Sequence, residues 1–284
     1  MLKFCMLKND KKLFSWDYFK SDELPFVEAR YCANSKRHYE KHFHESLSVG
    51  AVEEGEIAYI CKEKEYILLP NQLSIIEPNA LHCCNPLSED ARTYHMVYVD
   101  ATWCEQIQKT LFDDVDGFVG LKDAHCEDKE LFDEFLRLNK TLLDRRVFHL
   151  EKEELLGSFF IKLFSKYCHK SPKTPIKPDT DKIKKAKDFM SSNCAENLTL
   201  DDIARHVGMS KFYLSRMFKK QTHVSVYKYL LNCKINQAKK LLCQEYSSSQ
   251  IALLLGFFDQ SHFISTFKKY VALTPNEYKV SLLS

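Results

Sequence analysis

Between about Ala29 and Val99, apolar and polar residues alternate in short runs. Ser48-Val-Gly-Ala-Val52, Ile57-Ala-Tyr-Ile60, Tyr66-Ile-Leu-Leu69, Leu73-Ser-Ile-Ile76 and Tyr94-His-Met-Val-Tyr-Val99 each have the length and the β-branched or aromatic content of a strand. Glu54-Gly55, Pro70-Asn71 and Pro78-Asn79 supply turns between them. Many short strands at this spacing predict an antiparallel barrel or jelly roll. From residue 129 the period becomes helical: Leu131, Phe135, Leu138 and Leu142 form one stripe, and Leu155, Phe159, Leu163 and Tyr167 a second. Packing of these helices on the barrel is the default expectation, and a surface pairing two chains is the alternative.

The last third contains one pattern twice. Ala204 and Gly208 recur 48 residues later as Ala252 and Gly256; after the glycine the offset is 49, so that Leu214, Phe218 and Lys219 match Phe263, Phe267 and Lys268. Each copy reads as helix, turn, helix. Thr199 with Asp202, and Ser247 with Gln250, have capping-box spacing. Gly208 and Gly256 stand where the first helix must end in a left-handed turn. Ser210 and Asp259 are candidate caps for the second helices. Tyr227, Leu230, Leu231, Ile235, Ala238, Leu241 and Leu242 predict one long helix joining the copies. In helix-turn-helix proteins the second helix enters the DNA major groove, and two such helices about 34 Å apart fit successive grooves. One copy is weak evidence, because any helical hairpin can show it; two copies at a near-constant offset are strong evidence.

Charge supports this division. The 284 residues carry a net charge of +2, yet 177–284 hold 17 Lys and Arg against 9 Asp and Glu, while 1–176 hold 24 against 30. Ser171-Pro-Lys-Thr-Pro-Ile-Lys-Pro-Asp-Thr180 separates the two with three prolines. The expected organisation is a 1–170 sensing module with C-terminal helices, a 171–180 linker and a 181–284 polyanion-binding module. No apolar run approaches the ~20 residues of a membrane span. The first dozen residues lack a signal-peptide pattern. Eleven cysteines, odd in number and without a Cys-x-x-Cys pair, read as buried thiols in a reducing cytoplasm.

Residues 182 to 280 resemble the tandem helix-turn-helix domain of AraC/XylS-type transcription regulators. The matching strings are Leu-x-x-Ile-Ala-x-x-x-Gly-Met-Ser-x-x-x-Leu-x-Arg-x-Phe-Lys, then Ile-Ala-x-x-x-Gly-Phe-x-Asp-x-Ser-x-Phe-x-x-x-Phe-Lys-Lys, then Leu273-Thr-Pro-x-x-Tyr278. His223 and Ala272 stand where the family usually has Gly, Lys234 where it has Arg, and Ser265 replaces an Arg common in the second recognition helix. His42-Phe-His44, Val52-Glu-Glu-Gly55 and Leu69 to His82 resemble, in order, the cupin-like effector domain of the same regulators. The resemblance implies an α+β multidomain chain: an N-terminal antiparallel β-barrel of cupin type with following helices, then an all-α double helix-turn-helix. It also implies a cytoplasmic, non-enzymatic regulator, more often an activator. The implied partners are double-stranded DNA, RNA polymerase and an unknown small-molecule effector, with no membrane and no cofactor, and with homodimers formed through the intervening helices.

On the first recognition helix Leu214 and Phe218 face inward, which turns Lys211, Phe212, Ser215, Arg216 and Lys219 towards the groove. Arg216 is the best base reader, since its fork matches guanine O6 and N7. Phe212 contacts either a thymine methyl or the core. On the second helix Gln260, Ser261, Ile264 and Ser265 are exposed by the same logic, with Gln260 suited to adenine. Lys211, Lys219, Lys220, Lys268 and Lys269 are expected on phosphates, giving affinity without sequence information.

In the N-terminal module His42, His44, Tyr59, Glu77, His82, Tyr94 and His95 are candidates for the effector pocket. His42 and His44 alternate onto one face of a strand, and with His82 they raise the question of a metal. The metal-binding cupin pattern wants a carboxylate about four residues after the second histidine, where Ser48 and Val49 stand. Histidines lining a pocket or satisfied in the core are therefore the favoured reading, with no metal. The rival functional reading is a metal-dependent cupin enzyme carrying a DNA-targeting domain.

Overall fold

The computed structural model describes residues 14–88, 90–171, 180–271 and 273–281. Packing divides them into two units, one within 1–103 and 120–143, the other within 104–119 and 144–284. The proline segment lies, from 172 to 179, outside the described residues.

The first unit is built on two antiparallel sheets. Its strands are β1 (Ser15–Phe19), β2 (Val27–Ser35), β3 (Leu47–Glu54), β4 (Ile57–Cys61), β5 (Lys64–Leu68), β6 (Leu73–Ile76), β7 (His82–Pro86), β8 (Arg92–Val99) and β9 (His125–Cys126). They are ordered β1-β2-β8-β3-β6-β9 in one sheet and β5-β4-β7 in the other. Val52, Ile76 and Tyr94 of the larger sheet share a core with Ile57, Tyr59 and Leu68 of the smaller. Register fixes which side chains meet there. Tyr98 pairs with Ser48 and Glu28, Met96 with Gly50 and Arg30, and Tyr94 with Val52 and Cys32. Side chains alternate along a strand, so these residues share one face. The opposite face carries helix α2 (Lys129–Leu143), through buried Leu131, Phe135, Leu138 and Leu142. Asn139 is fully buried and holds this helix to the sheet. Its Nδ2 donates to the carbonyls of Arg30 and Met96, and its Oδ1 lies 2.8 Å from His95 Nδ1. The turn residues Gly55, Asn71 and Asn79 have φ of 82°, 72° and 62°, in the left-handed region that Gly and Asn tolerate best.

The second unit is helical. Helix α1 (Ala101–Leu111) enters it, followed by α3 (His149–Tyr167), α4 (Thr180–Ser192), α5 (Leu200–His206), α6 (Lys211–Thr222), α7 (Val226–Cys243), α8 (Ser248–Leu254), α9 (Gln260–Val271) and α10 (Pro275–Ser281). The two sequence copies become α5–α6 and α8–α9, joined by α7. Both predicted capping boxes form, with Thr199 accepting from Asp202 N and Ser247 from Gln250 N. Gly208 and Gly256 take φ of 61° and 66°. Ser210 caps α6, and Asp259 accepts from His262 N at 2.6 Å. His223, where the family usually has Gly, ends α6 at φ 60°, which explains why a residue without a β-carbon is favoured there. Lys234, replacing an Arg, sends its buried Nζ to the Leu255 carbonyl at the end of α8, 2.7 Å away, where a cation suits the helix C-terminus.

Helix α3 departs from expectation. Its buried apolar side is Leu156, Phe159, Phe160, Leu163 and Phe164, while Leu155 and Tyr167 of the predicted stripe are half-buried. Lys152, Glu153 and Glu154 are buried as well, and the helix packs against α5, α6 and α7. A helix covered on several sides loses the single stripe that periodicity detects. By packing, α3 groups with the helical unit.

Because both capping boxes are formed, Thr199→Ala and Ser247→Ala should each lower the stability of the helical unit by about 1 kcal/mol. Urea midpoints of the two single variants should shift by similar amounts; a drop confined to one would break the equivalence of the two copies.

Candidate functional site

Between the two sheets of the first unit lies a cavity of about 500 Å³, within the usual range of small-molecule pockets. Its wall is the shared inner face: Arg30, Gly50, Val52, Arg92, Tyr94, Met96 and Tyr98, with Ile57 and Leu68 opposite and His42, His44 and His82 at the side. The apolar members provide burial, and the polar ones provide direction. Arg92 is 1% exposed. Its Nη2 donates to the carbonyls of Arg37 and Cys84, each at 3.0 Å, and its guanidinium lies over the Tyr94 ring at 5.2 Å. Arg92 Nε and Nη1 have no hydrogen-bond partner among the described residues. Arg30 lies over the Tyr98 ring, and the hydroxyls of Tyr39 and Tyr94 are 3.0 Å apart. Burial lowers the affinity of Arg92 for its proton and pushes the Tyr98 phenol up to about 12.

The three histidines gather, but not on a strand face as expected: His42 and His44 lie in the connection between β2 and β3, with His42 in an isolated bridge to His82. Backbone bonds of 2.9 Å run both ways between His42 and His82. The ring centroids of His82 are 4.4 Å from His42 and 4.8 Å from His44. Each Nδ1 faces a backbone carbonyl, of Glu40, Ser46 and Ala80 respectively, at 2.8–2.9 Å. A carbonyl only accepts, so each Nδ1 carries a hydrogen. His44 Nε2 accepts from Ser48 Oγ at 3.1 Å. Burial depresses the His44 ring below the usual imidazole range, and takes His82 down to about 4. Among the described residues no group of three or more His, Cys, Asp or Glu is placed to hold a metal ion.

Three pocket candidates stand elsewhere. Tyr59 is fully buried and donates to the Ile75 carbonyl at 3.0 Å, as a core residue. Glu77 pairs with Lys62 and accepts from Leu121 N. His95 borders the cavity, but alternation turns its ring to the α2 face, where its nitrogens meet Asn139 and Glu53. Arg30, Arg92, Tyr39 and Tyr98 were not singled out from sequence. Arg30, Arg92 and Tyr98 are polar residues at inward positions of β2 and β8, a placement that only the strand register reveals.

The recognition helices differ from one another. On α9, Gln260, Ser261, Ser265, Lys268 and Lys269 are exposed and Ile264 is half-buried. On α6, Lys219 and Lys220 are exposed and Arg216 is half-buried, its Nε without a partner among the described residues. Lys211 is instead ion-paired to Glu153 and Asp201, at 2.6 and 3.0 Å. Ser215 donates to Glu154 at 3.3 Å. Phe212 is 3% exposed, in the core position that was one of its two alternatives.

A β-sheet unit enclosing a cavity, followed by two capped helix-turn-helix units on one connecting helix, defines a ligand-sensing DNA-binding regulator. Comparisons with known proteins agree. Residues 26–160 match the AraC-like ligand binding domain, and residues 203–280 match a helix-turn-helix domain. The chain belongs to the AraC family of transcription regulators. The HTH-type transcriptional regulator YbfI of Bacillus subtilis strain 168 is 29% identical over 224 residues, 79% of this chain and 81% of that one. The melibiose operon regulatory protein of Escherichia coli K12 is 34% identical over 92 residues, 32% of this chain and 30% of its own. Among solved structures, an apo variant of ToxT from Vibrio cholerae is 16% identical, with a TM-score of 0.38 over 89% of this chain and 97% of that one. No helix among the described residues is long and apolar enough to cross a membrane.

The depressed His82 gives a pH signature. The unfolded chain binds a proton near pH 6.5 and the folded ring only near 4, so stability present at neutral pH is lost as pH falls through that window. Denaturation midpoints of the full chain should decline from about pH 6.5 to about pH 4, with a shallower decline in His82→Asn. An unchanged slope in the variant would show that other groups set the acid response.

Proposed function

We propose that this regulator reads duplex DNA with both helix-turn-helix units, and that a small molecule in the sheet cavity changes that reading or its transcriptional output. The exposed row Gln260, Ser261, Ser265, Lys268 and Lys269 on a capped, core-anchored helix is the observation that supports DNA reading most directly. Lys219, Lys220, Lys268 and Lys269 bind phosphates, and Arg216 and Gln260 read base edges. The two arginines, the paired tyrosine hydroxyls and the neutral imidazoles of the cavity suit a small effector with anionic or hydroxyl groups and an apolar body. Residues 171–180 act as the tether between sensing and reading modules. Activation through RNA polymerase, homodimer formation and a cytoplasmic location complete this reading.

Selection from random duplexes by the full chain should yield a preferred site, with affinity falling steeply as salt rises. Lys268→Ala with Lys269→Ala should make the slope of log K against log salt shallower by about 0.9 for each phosphate no longer neutralised. Arg216→Ala should relax preference at one or two base positions, by about 1–3 kcal/mol of discrimination, and Gln260→Ala by less. A chain that enriches no sequence and binds without salt dependence would overturn the reading. Larger effects for Gln260→Ala would transfer the main base contacts to the second unit.

A further inference from the structure

The internal repeat supplies its own control. With the 49-residue offset, Lys211, Phe212 and Ser215 of α6 correspond to Gln260, Ser261 and Ile264 of α9. On α9, Gln260 and Ser261 are exposed and Ile264 is half-buried. On α6 each of the three is engaged by α3. Glu153 Oε1 accepts from Lys211 Nζ at 2.6 Å, with the two side chains 6% and 10% exposed. Glu154 accepts from Ser215 Oγ at 3.3 Å, and from the first two amides of α7, Val226 N and Tyr227 N, at 2.9 and 2.8 Å. A β-carbon at Gly157 would stand 3.3 Å from the Phe212 ring, so the ring rests on the α3 backbone itself. The start of α3 touches the second copy through Phe148, on Phe257 and His262, but Gln260 and Ser261 of α9 stay exposed, so the motif does not require cover at those positions.

The chemistry of the cover matters as much as its position. A carboxylate on Lys211 takes the place of a DNA phosphate, and a second carboxylate occupies the Ser215 hydroxyl and a helix N-terminus, a site suited to anions. Glu153 and Glu154 are two adjacent acids on a helix that the expected fold would place with the sensor. We propose that α3 is a built-in competitor of DNA for the first recognition helix: α3 and a duplex cannot hold Lys211, Phe212 and Ser215 at once, so full engagement of DNA requires α3 to leave α6. The inference rests on the reading of α6 as a DNA-binding helix. It adds that without DNA the second unit is open and the first is closed. Apparent affinity is then reduced by the fraction of chains in which α3 has withdrawn.

The test uses the full chain and a 30-base-pair duplex enriched from a random pool by the variant Glu153→Gln/Gly157→Leu. The first substitution removes one of the two carboxylates on Lys211, leaving Asp201 of α5 in place, and the second drives a side chain against Phe212. Fluorescence anisotropy should show the variant binding this duplex about tenfold more tightly than the unsubstituted chain. Hydrogen exchange on the unsubstituted chain gives a second readout that no folding defect can affect. The amides of Val226 and Tyr227 should exchange faster when the chain is saturated with the duplex, because Glu154 no longer accepts from them. Equal affinities together with unchanged exchange would overturn the competition while leaving DNA binding intact. Failure of both proteins to retain any duplex would overturn the DNA reading, and the competition with it.

Discussion

Helix α7 is the constraint on which the second unit depends. Its 18 residues span about 27 Å, and both helix-turn-helix copies are built against it. Leu230, Ile235, Ala238 and Leu242 bury its length in one continuous core with Leu214 and Phe218 of the first copy and Phe263 and Phe267 of the second. A helix that buries one continuous face against two motifs cannot rotate for one without moving the other. Its start is tied by Glu154, and its middle by Lys234, which reaches the end of α8. The separation of the recognition helices is thus a property of one rigid element rather than of a flexible connection.

In the first unit the equivalent constraint is the two-residue period of the larger sheet. Along β8, Arg92, Tyr94, Met96 and Tyr98 face the cavity, while the ring of His95, between Tyr94 and Met96, faces α2. One face lines the cavity and the other receives a helix, and a one-residue slip of register would exchange them. Asn139 makes such a slip costly, because its amide is matched to the carbonyls of Arg30 and Met96 and its oxygen to His95, all buried. The helix packing that stabilises the sheet also holds the cavity-lining side chains in place.

Polar groups buried in pairs recur wherever this chain has a decision to make. Lys234 is satisfied by carbonyls at the end of α8, and its role is structural. Glu153 with Lys211, and Glu154 with the start of α7, are satisfied only while α3 is in place. Such pairs add little net stability compared with an apolar contact of the same size, but breaking them without a replacement is costly. A DNA phosphate is a replacement for the carboxylate on Lys211. That makes the exchange of α3 for DNA a substitution of one anion for another rather than a net removal.

Local rules made much of this legible in advance. The repeat, both capping boxes, the two left-handed glycines, the long connecting helix and several of the strands follow from residue identity within a few positions, because caps, turns and periodicity are settled by near neighbours in the chain. The histidine trio was legible only in part: His82 lies on a strand, whereas His42 and His44 stand in the connection before β3, with His42 in an isolated bridge to His82. Strands β2 and β7 were not legible, since Glu28, Arg30 and His82 break the apolar alternation at positions facing a cavity rather than solvent. Tyr59 and Glu77 are engaged outside the cavity, and His95 borders it with its ring turned to α2, because a polar residue type does not say which face of a sheet it occupies; register does. The same holds for Lys211, Phe212 and Ser215. Sequence alone determined that they lie together on one side of a recognition helix, by the 3.6-residue period. Only tertiary structure decided that this side is occupied by Glu153, Glu154 and Gly157, more than fifty residues earlier, because that choice depends on long-range packing and charge pairing that no local pattern encodes.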